Sequence, residues 1–193
     1  MEMLKEPDWN VAQALLVEEG REAIGKFSAQ HAAERCSFFA FSVDYCFGDV
    51  VICFDTYDNS LLHAKRNEMQ TVRAWDASFI SKRSEENAKS YLLRRRLCSY
   101  NPHTSEFNYP RFATFHFSDW EEFFLNEQRP EYPDALEYVI VLMYRVVSQL
   151  VSSRSFDGLT LSSPFRIGVE FPEDLGLVVM RLLNWPSHQG PRV

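Results

Sequence analysis

The sequence predicts a single α+β domain over 1–193: a mostly antiparallel sheet of about four to six strands, flanked by helices from both ends of the chain. Three observations carry that expectation. Aromatic and β-branched residues alternate with the period of a strand in "SFFAFSVDYC", "VVICFDTY" and "RFATFHFSD". Apolar residues recur at helical spacing in "WNVAQALLVEEGREAIGKFSAQHAAER" and again in "ALEYVIVLMYRVVSQLVSS". Finally, 193 residues that are 46% hydrophobic and include 16 Phe supply a sizeable core without metal or disulfide support.

The elements follow in order. Asp8 is placed to cap the first helix, in which Val11, Leu15, Leu16, Ile24 and Phe27 form the apolar stripe. Gly20 and Gly25 weaken that helix by up to about 1 kcal/mol each relative to Ala. The next two runs, joined by "FGD", form a β-hairpin. Near its start the first arm is apolar on both faces, the mark of a central strand covered on both sides. Residues 58–100 are helical in tone but polar, packed by Met69, Val72, Trp75, Phe79, Tyr91, Leu92 and Leu93. The stretch "SYNPHTSEFNYP" is a loop by its Asn, Pro, His, Thr and Ser content.

In "RFATFHFSDWEEFF", Phe112, Thr114 and His116 alternate with Ala113, Phe115 and Phe117 as in a strand. Ser118, followed three residues later by Glu121, makes a capping box for the helix "DWEEFFLNEQ". The apolar residues of "ALEYVIVLMYRVVSQLVSS" occupy nearly the whole helical circumference, which predicts a buried central helix. A "FDGL" turn and a strand around Phe165 to Phe171 follow. "LGLVVMRLLNW" is a short helix or strand, and the tail is loose from about residue 186.

Several function classes are excluded by what the sequence lacks. No apolar run approaches the roughly 18–20 residues of a membrane span, and "MEMLKEPDWN" is acidic where a signal peptide is basic, so a cytoplasmic protein without a membrane partner is expected. Cys36, Cys46, Cys53 and Cys98 form no CxxC pair and are read as small buried hydrophobes; a hairpin could set Cys46 against Cys53 and allow a disulfide, but nothing demands one. The histidines His31, His63, His103, His116 and His188 are scattered, with no HExxH or Cys/His metal spacing, and no glycine-rich phosphate cradle occurs. No cofactor and no metal are expected.

The net charge of -7 is uneven. Residues 1–55 carry ten acids against four bases, residues 56–110 six against nine, and residues 111–193 eleven against seven. This balance disfavours a nucleic-acid ligand, which wants a basic face, and favours a basic protein partner. Asp44, Asp49, Asp55 and Asp58 bracket the hairpin as turn residues or as an acidic rim, and Asp119, Glu121 and Glu122 add a second acidic group. These seven are the expected partner-binding residues. His116 with Asp119 or Glu121 is the alternative, the acid–base pair of a small hydrolase or transferase. Arg94, Arg95 and Arg96 are expected on a solvated helix face.

The order of pieces resembles a bacterial domain-of-unknown-function family, number 4303. The likeness rests on the first helix, "FFAFSVDY", the aromatic strand running into a Trp-containing helix start, "FDGL", "FRIGVEF" and "LNW". It covers most of residues 8–185 and departs from the family over residues 58–100. The resemblance implies a small acidic immunity protein that binds and neutralises a cognate bacterial toxin.

Overall fold

The Asp8 carboxylate accepts hydrogen bonds from the backbone N–H of Asn10 and Val11, both at 3.1 Å, and so starts α1 (Trp9–Gln30) where the cap predicts. In this computed structural model, residues 6–63, 66, 103–125, 135–171 and 176–183 are described. The expected packing residues from Met69 to Leu93, the arginines Arg94 to Arg96, and Cys98 lie outside them.

The hairpin forms as expected, with β1 (Cys36–Asp44) antiparallel to β2 (Asp49–Thr56) in a register that sets Asp44 against Asp49. Gly48 sits in its turn at a φ of 68°, the left-handed region, and a Cβ there would collide with the Phe117 carbonyl. Beyond β2, residues 57–63 are helical. β3 (Tyr109–His116) runs antiparallel to β2 and leads into α2 (Ser118–Phe124), then α3 (Ala135–Ser152). β4 (Leu161–Phe171) pairs parallel with β1, and β5 (Gly176–Leu183) closes the edge antiparallel to β4. The order β3-β2-β1-β4-β5 makes a five-stranded, mostly antiparallel sheet with one parallel pair, and the domain is α+β. The final segment is therefore a strand rather than a helix.

β1 is central, as its two apolar faces predict. Phe39, Phe41 and Val43 join the main core with Phe54, Ile167 and the helices, while Phe38 and Ala40 join Cys53 and Phe107 on the opposite face. The main core lies between the sheet and α1 with α3. Phe27 of α1 stacks on Phe54 with ring centroids 4.1 Å apart. Gly20 is the point of close approach between the two helices: a Cβ there would lie 3.1 Å from a Leu150 methyl and 3.4 Å from the Phe41 ring. The contact explains a residue that costs helix stability on its own.

Three expectations need correction. Val11 and Leu15 are 53% and 44% exposed, because the buried stripe runs through Ala12, Leu16, Gly20, Ala23 and Phe27 instead. The helix α3 is not buried all round; Val139, Leu142, Met143, Val146, Val147 and Leu150 face the core, while Tyr138, Val141 and Tyr144 are nearly half exposed. Ser118 is the first residue of α2, after the cap position at Phe117, and no side chain caps that end. Trp120 anchors the helix by burial instead, stacked on Phe117.

Candidate functional site

The face of the sheet turned away from α1 and α3 carries the polar chemistry. Strand alternation puts Asp44 on this face of β1, Asp49 on β2 and His116 on β3. The register sets these three residues side by side at one end of the sheet. The backbone N–H of Phe117 donates to the Gly48 carbonyl at 2.8 Å, which holds the start of α2 against the hairpin turn. Asp119, Glu121 and Glu122, in the first turns of α2, are thereby brought to the same end as Asp44 and Asp49. Asp49, Asp119 and Glu122 are exposed, and Asp44 and Glu121 are partly so.

His116 lies among these acids. Its Nδ1 is 3.0 Å from an Asp49 oxygen, and its Nε2 is 3.8 Å from Glu121. The ring is half exposed, as are both carboxylates. Of the two carboxylates expected beside His116, Glu121 is the one that pairs with it.

Asp55 and Asp58 lie elsewhere. Six residue steps along β2 separate Asp55 from Asp49, roughly 20 Å at strand spacing. Asp55 is completely buried. It accepts hydrogen bonds from the Asn59 side-chain amide at 2.7 Å, the Ser60 hydroxyl, and the Asn108 backbone N–H at 3.1 Å. It ties residues 57–63 and the approach to β3 onto the end of β2, and offers no carboxylate to a partner. Asp58 is exposed, but at this far end.

A second polar group was missed by the sequence reading. Glu170 of β4 sits 5% exposed on the same sheet face, and its carboxylate accepts from the Thr104 backbone N–H at 3.2 Å and from the Thr104 hydroxyl. The Ser42 hydroxyl lies 3.4 Å away and the His103 Nδ1 3.2 Å away. Ser42, Val51, His103, Thr104, Arg111 and Glu170 line a cleft of about 420 Å³. Two hydroxyls, one backbone N–H and an imidazole surround this buried carboxylate and fix the His103 loop to β4. The signal lay in "FRIGVEF": strand alternation puts Arg166, Gly168 and Glu170 on one face, and two charged residues there require partners.

Cys36 and Cys53 are buried and their thiols are pushed up by desolvation, Cys53 to about 12. Cys53 pairs across the hairpin with Ala40, and Cys46 lies in the turn, so the two do not face each other. Glu34, at the other end of the sheet, is held below the usual carboxylate range, chiefly by the Tyr109 hydroxyl at 2.7 Å and further by His31. Among the described residues no group of three His, Cys, Asp or Glu side chains is placed to hold a metal ion. No described helix is long and apolar enough to cross a membrane. Compared with family models, curated proteins and solved structures, the chain matches none.

Proposed function

We propose that this is a non-enzymatic acidic binding protein, most concretely an immunity protein that neutralises a cognate bacterial toxin in the cytoplasm by direct contact. The observation that supports this reading best is the gathering of Asp44, Asp49, Asp119, Glu121 and Glu122 at one end of the sheet, from three separate elements. A surface of that kind suits a basic partner, and a toxin that acts on a polyanion is basic because its own substrate demands it. Asp55 plays no part in this surface, and Asp58 stands apart from it.

The alternative, a small hydrolase or transferase, draws on the pairing of His116 with Asp49 and Glu121. It rests on a half-exposed imidazole at a strand end, between two half-exposed carboxylates. The two readings separate on one variant. As a binding protein, His116→Gln keeps partner affinity within about threefold, under ~1 kcal/mol. Loss of a catalytic activity in a folded His116→Gln protein would establish the alternative.

The test of the main reading is capture of partners from the native host. A basic protein recovered in stoichiometric amount by the wild type, and lost with Asp44→Lys/Asp49→Lys, is the expected result. Recovery of no stoichiometric protein removes the proposal.

A further inference from the structure

Helix α3 carries an exposed ridge, flanked at Tyr144 by the Arg181 guanidinium of β5, which lies 4.5 Å over the ring. Glu137, Tyr138, Val141, Tyr144 and Arg145 are all exposed, and Tyr138, Val141 and Tyr144 are 48%, 48% and 49% accessible. At 100° per residue these five positions fall within an arc of roughly 120°, so they form one face. Trp9 of α1 stacks on Tyr138 with centroids 6.2 Å apart, and a groove of about 400 Å³ runs beside the ridge, lined by Trp9, Glu137, Tyr138, Val141, Leu142 and Arg145. Large apolar side chains grouped on one helix face, with charges at its ends, mark an interaction surface rather than scattered exposure.

The order of the residues says what covers it. Read outward from Val141, the exposed positions are mirrored: Tyr138 and Tyr144 stand three residues to either side, Glu137 and Arg145 four. A two-fold axis beside Val141 therefore sets Val141 against its own copy. It brings Glu137 of each chain towards Arg145 of the other, with the tyrosines flanking the contact. An isologous interface demands this self-complementarity, and an unrelated partner does not. The geometry is one that helices adopt readily. Residues 137, 141 and 145 form an i±4 ridge, and packing such ridges together gives the crossing of about 50° that is commonest in globular proteins.

We propose that α3 is a homodimerisation helix, with a second copy of this chain as the occupant of its exposed ridge. The contact lies on the opposite side of the sheet from Asp44 and Asp49, so it leaves those two carboxylates open and does not depend on the toxin-binding reading. One helix face with its flanking α1 residues is a small interface, which places the affinity in the range of about 1–100 µM.

Charge exchange across the axis tests this with the full-length chain, by sedimentation equilibrium over that concentration range. The wild type is expected to pass from monomer to dimer. Glu137→Arg sets arginine against arginine twice, and Arg145→Glu sets glutamate against glutamate twice, so each weakens the dimer at least tenfold. The combined Glu137→Arg/Arg145→Glu variant restores it to within about threefold. Mixing the two single variants gives a heterodimer that neither forms alone. All positions are exposed, and unchanged melting curves confirm that the variants fold. A wild type that stays monomeric at about 500 µM overturns the proposal. So does a dimer indifferent to both single exchanges, or a monomer that uses this ridge for a different protein.

Discussion

Replacing Trp120 by alanine tests whether burial alone fixes the start of α2. The indole is fully buried, stacks on Phe117 with centroids 4.6 Å apart and touches Trp9 at 5.8 Å. Truncating a buried aromatic of this size costs about 3–5 kcal/mol, from lost transfer energy and the cavity left behind. For a chain of this length each kcal/mol moves Tm by about 2–4 °C, so Trp120→Ala lowers it by roughly 6–20 °C. The indole Nε1 has no hydrogen-bond partner among the described residues. A buried unpaired N–H costs about 1–3 kcal/mol, and phenylalanine removes it while keeping a ring against Phe117. Trp120→Phe therefore melts within about 5 °C of the wild type. Calorimetric or circular-dichroism melts read both numbers. An unchanged Tm for Trp120→Ala, or a Phe variant as unstable as the Ala variant, would refute the reasoning.

Three further outcomes follow from the same geometry. Gly168→Ala would put a Cβ 2.6 Å from the Val178 carbonyl oxygen and 3.0 Å from the Phe38 ring. The β4–β5 pairing must then shift at a cost of about 1–3 kcal/mol, so an unaltered urea midpoint would contradict it. Because the thiolate is the reactive form, Cys36 and Cys53, buried and raised in pKa, stay unmodified by iodoacetamide at a pH of about 8 while the half-buried Cys46 reacts; labelling of either buried thiol in the folded protein speaks against the structure. Glu34 is held below its ordinary 4.5 by Tyr109, so the stability this bond supplies is present at neutral pH and lost as pH falls through the folded value. The stability difference between wild type and Tyr109→Phe should shrink on acidification, and a widening gap in denaturant titrations would reverse that assignment.

Much of the fold was legible because local signals and burial agree. Asp8, the hairpin runs and the two-sided strand at Phe38–Phe41 each specify their element through a single physical requirement, which the tertiary structure then satisfies. Expectations fail where a tertiary contact decides between equivalent local choices. On α1 both Val11 and Leu16 fit a helical stripe, and it is the approach of Leu150 to Gly20 that selects the Leu16 side. Ser118 has the right spacing for a cap, yet the pairing of Phe117 with Gly48 places the helix start one residue earlier and leaves the hydroxyl unused. The acidic end was half legible. Asp44 and Asp49 follow from the hairpin, but sorting Asp55 from them requires knowing that Asn59, Ser60 and Asn108 converge on it. Glu170 was overlooked because its partners lie 66 and more residues away in the chain, out of reach of any local pattern.

The central claim is that an acidic sheet end meets a basic protein, and association kinetics test it most directly. Complementary charge acts chiefly on the on-rate, which reaches about 10⁸–10⁹ M⁻¹s⁻¹ at low salt and falls as the screening length shortens from roughly 30 Å at 0.01 M to 3 Å at 1 M. With the captured partner, stopped-flow mixing should show an on-rate that drops at least tenfold across about that range of salt. Asp44→Lys/Asp49→Lys should already be slow at low salt while melting like the wild type. An on-rate indifferent to salt, or a charge-reversed protein that associates as fast as the wild type, would contradict the account.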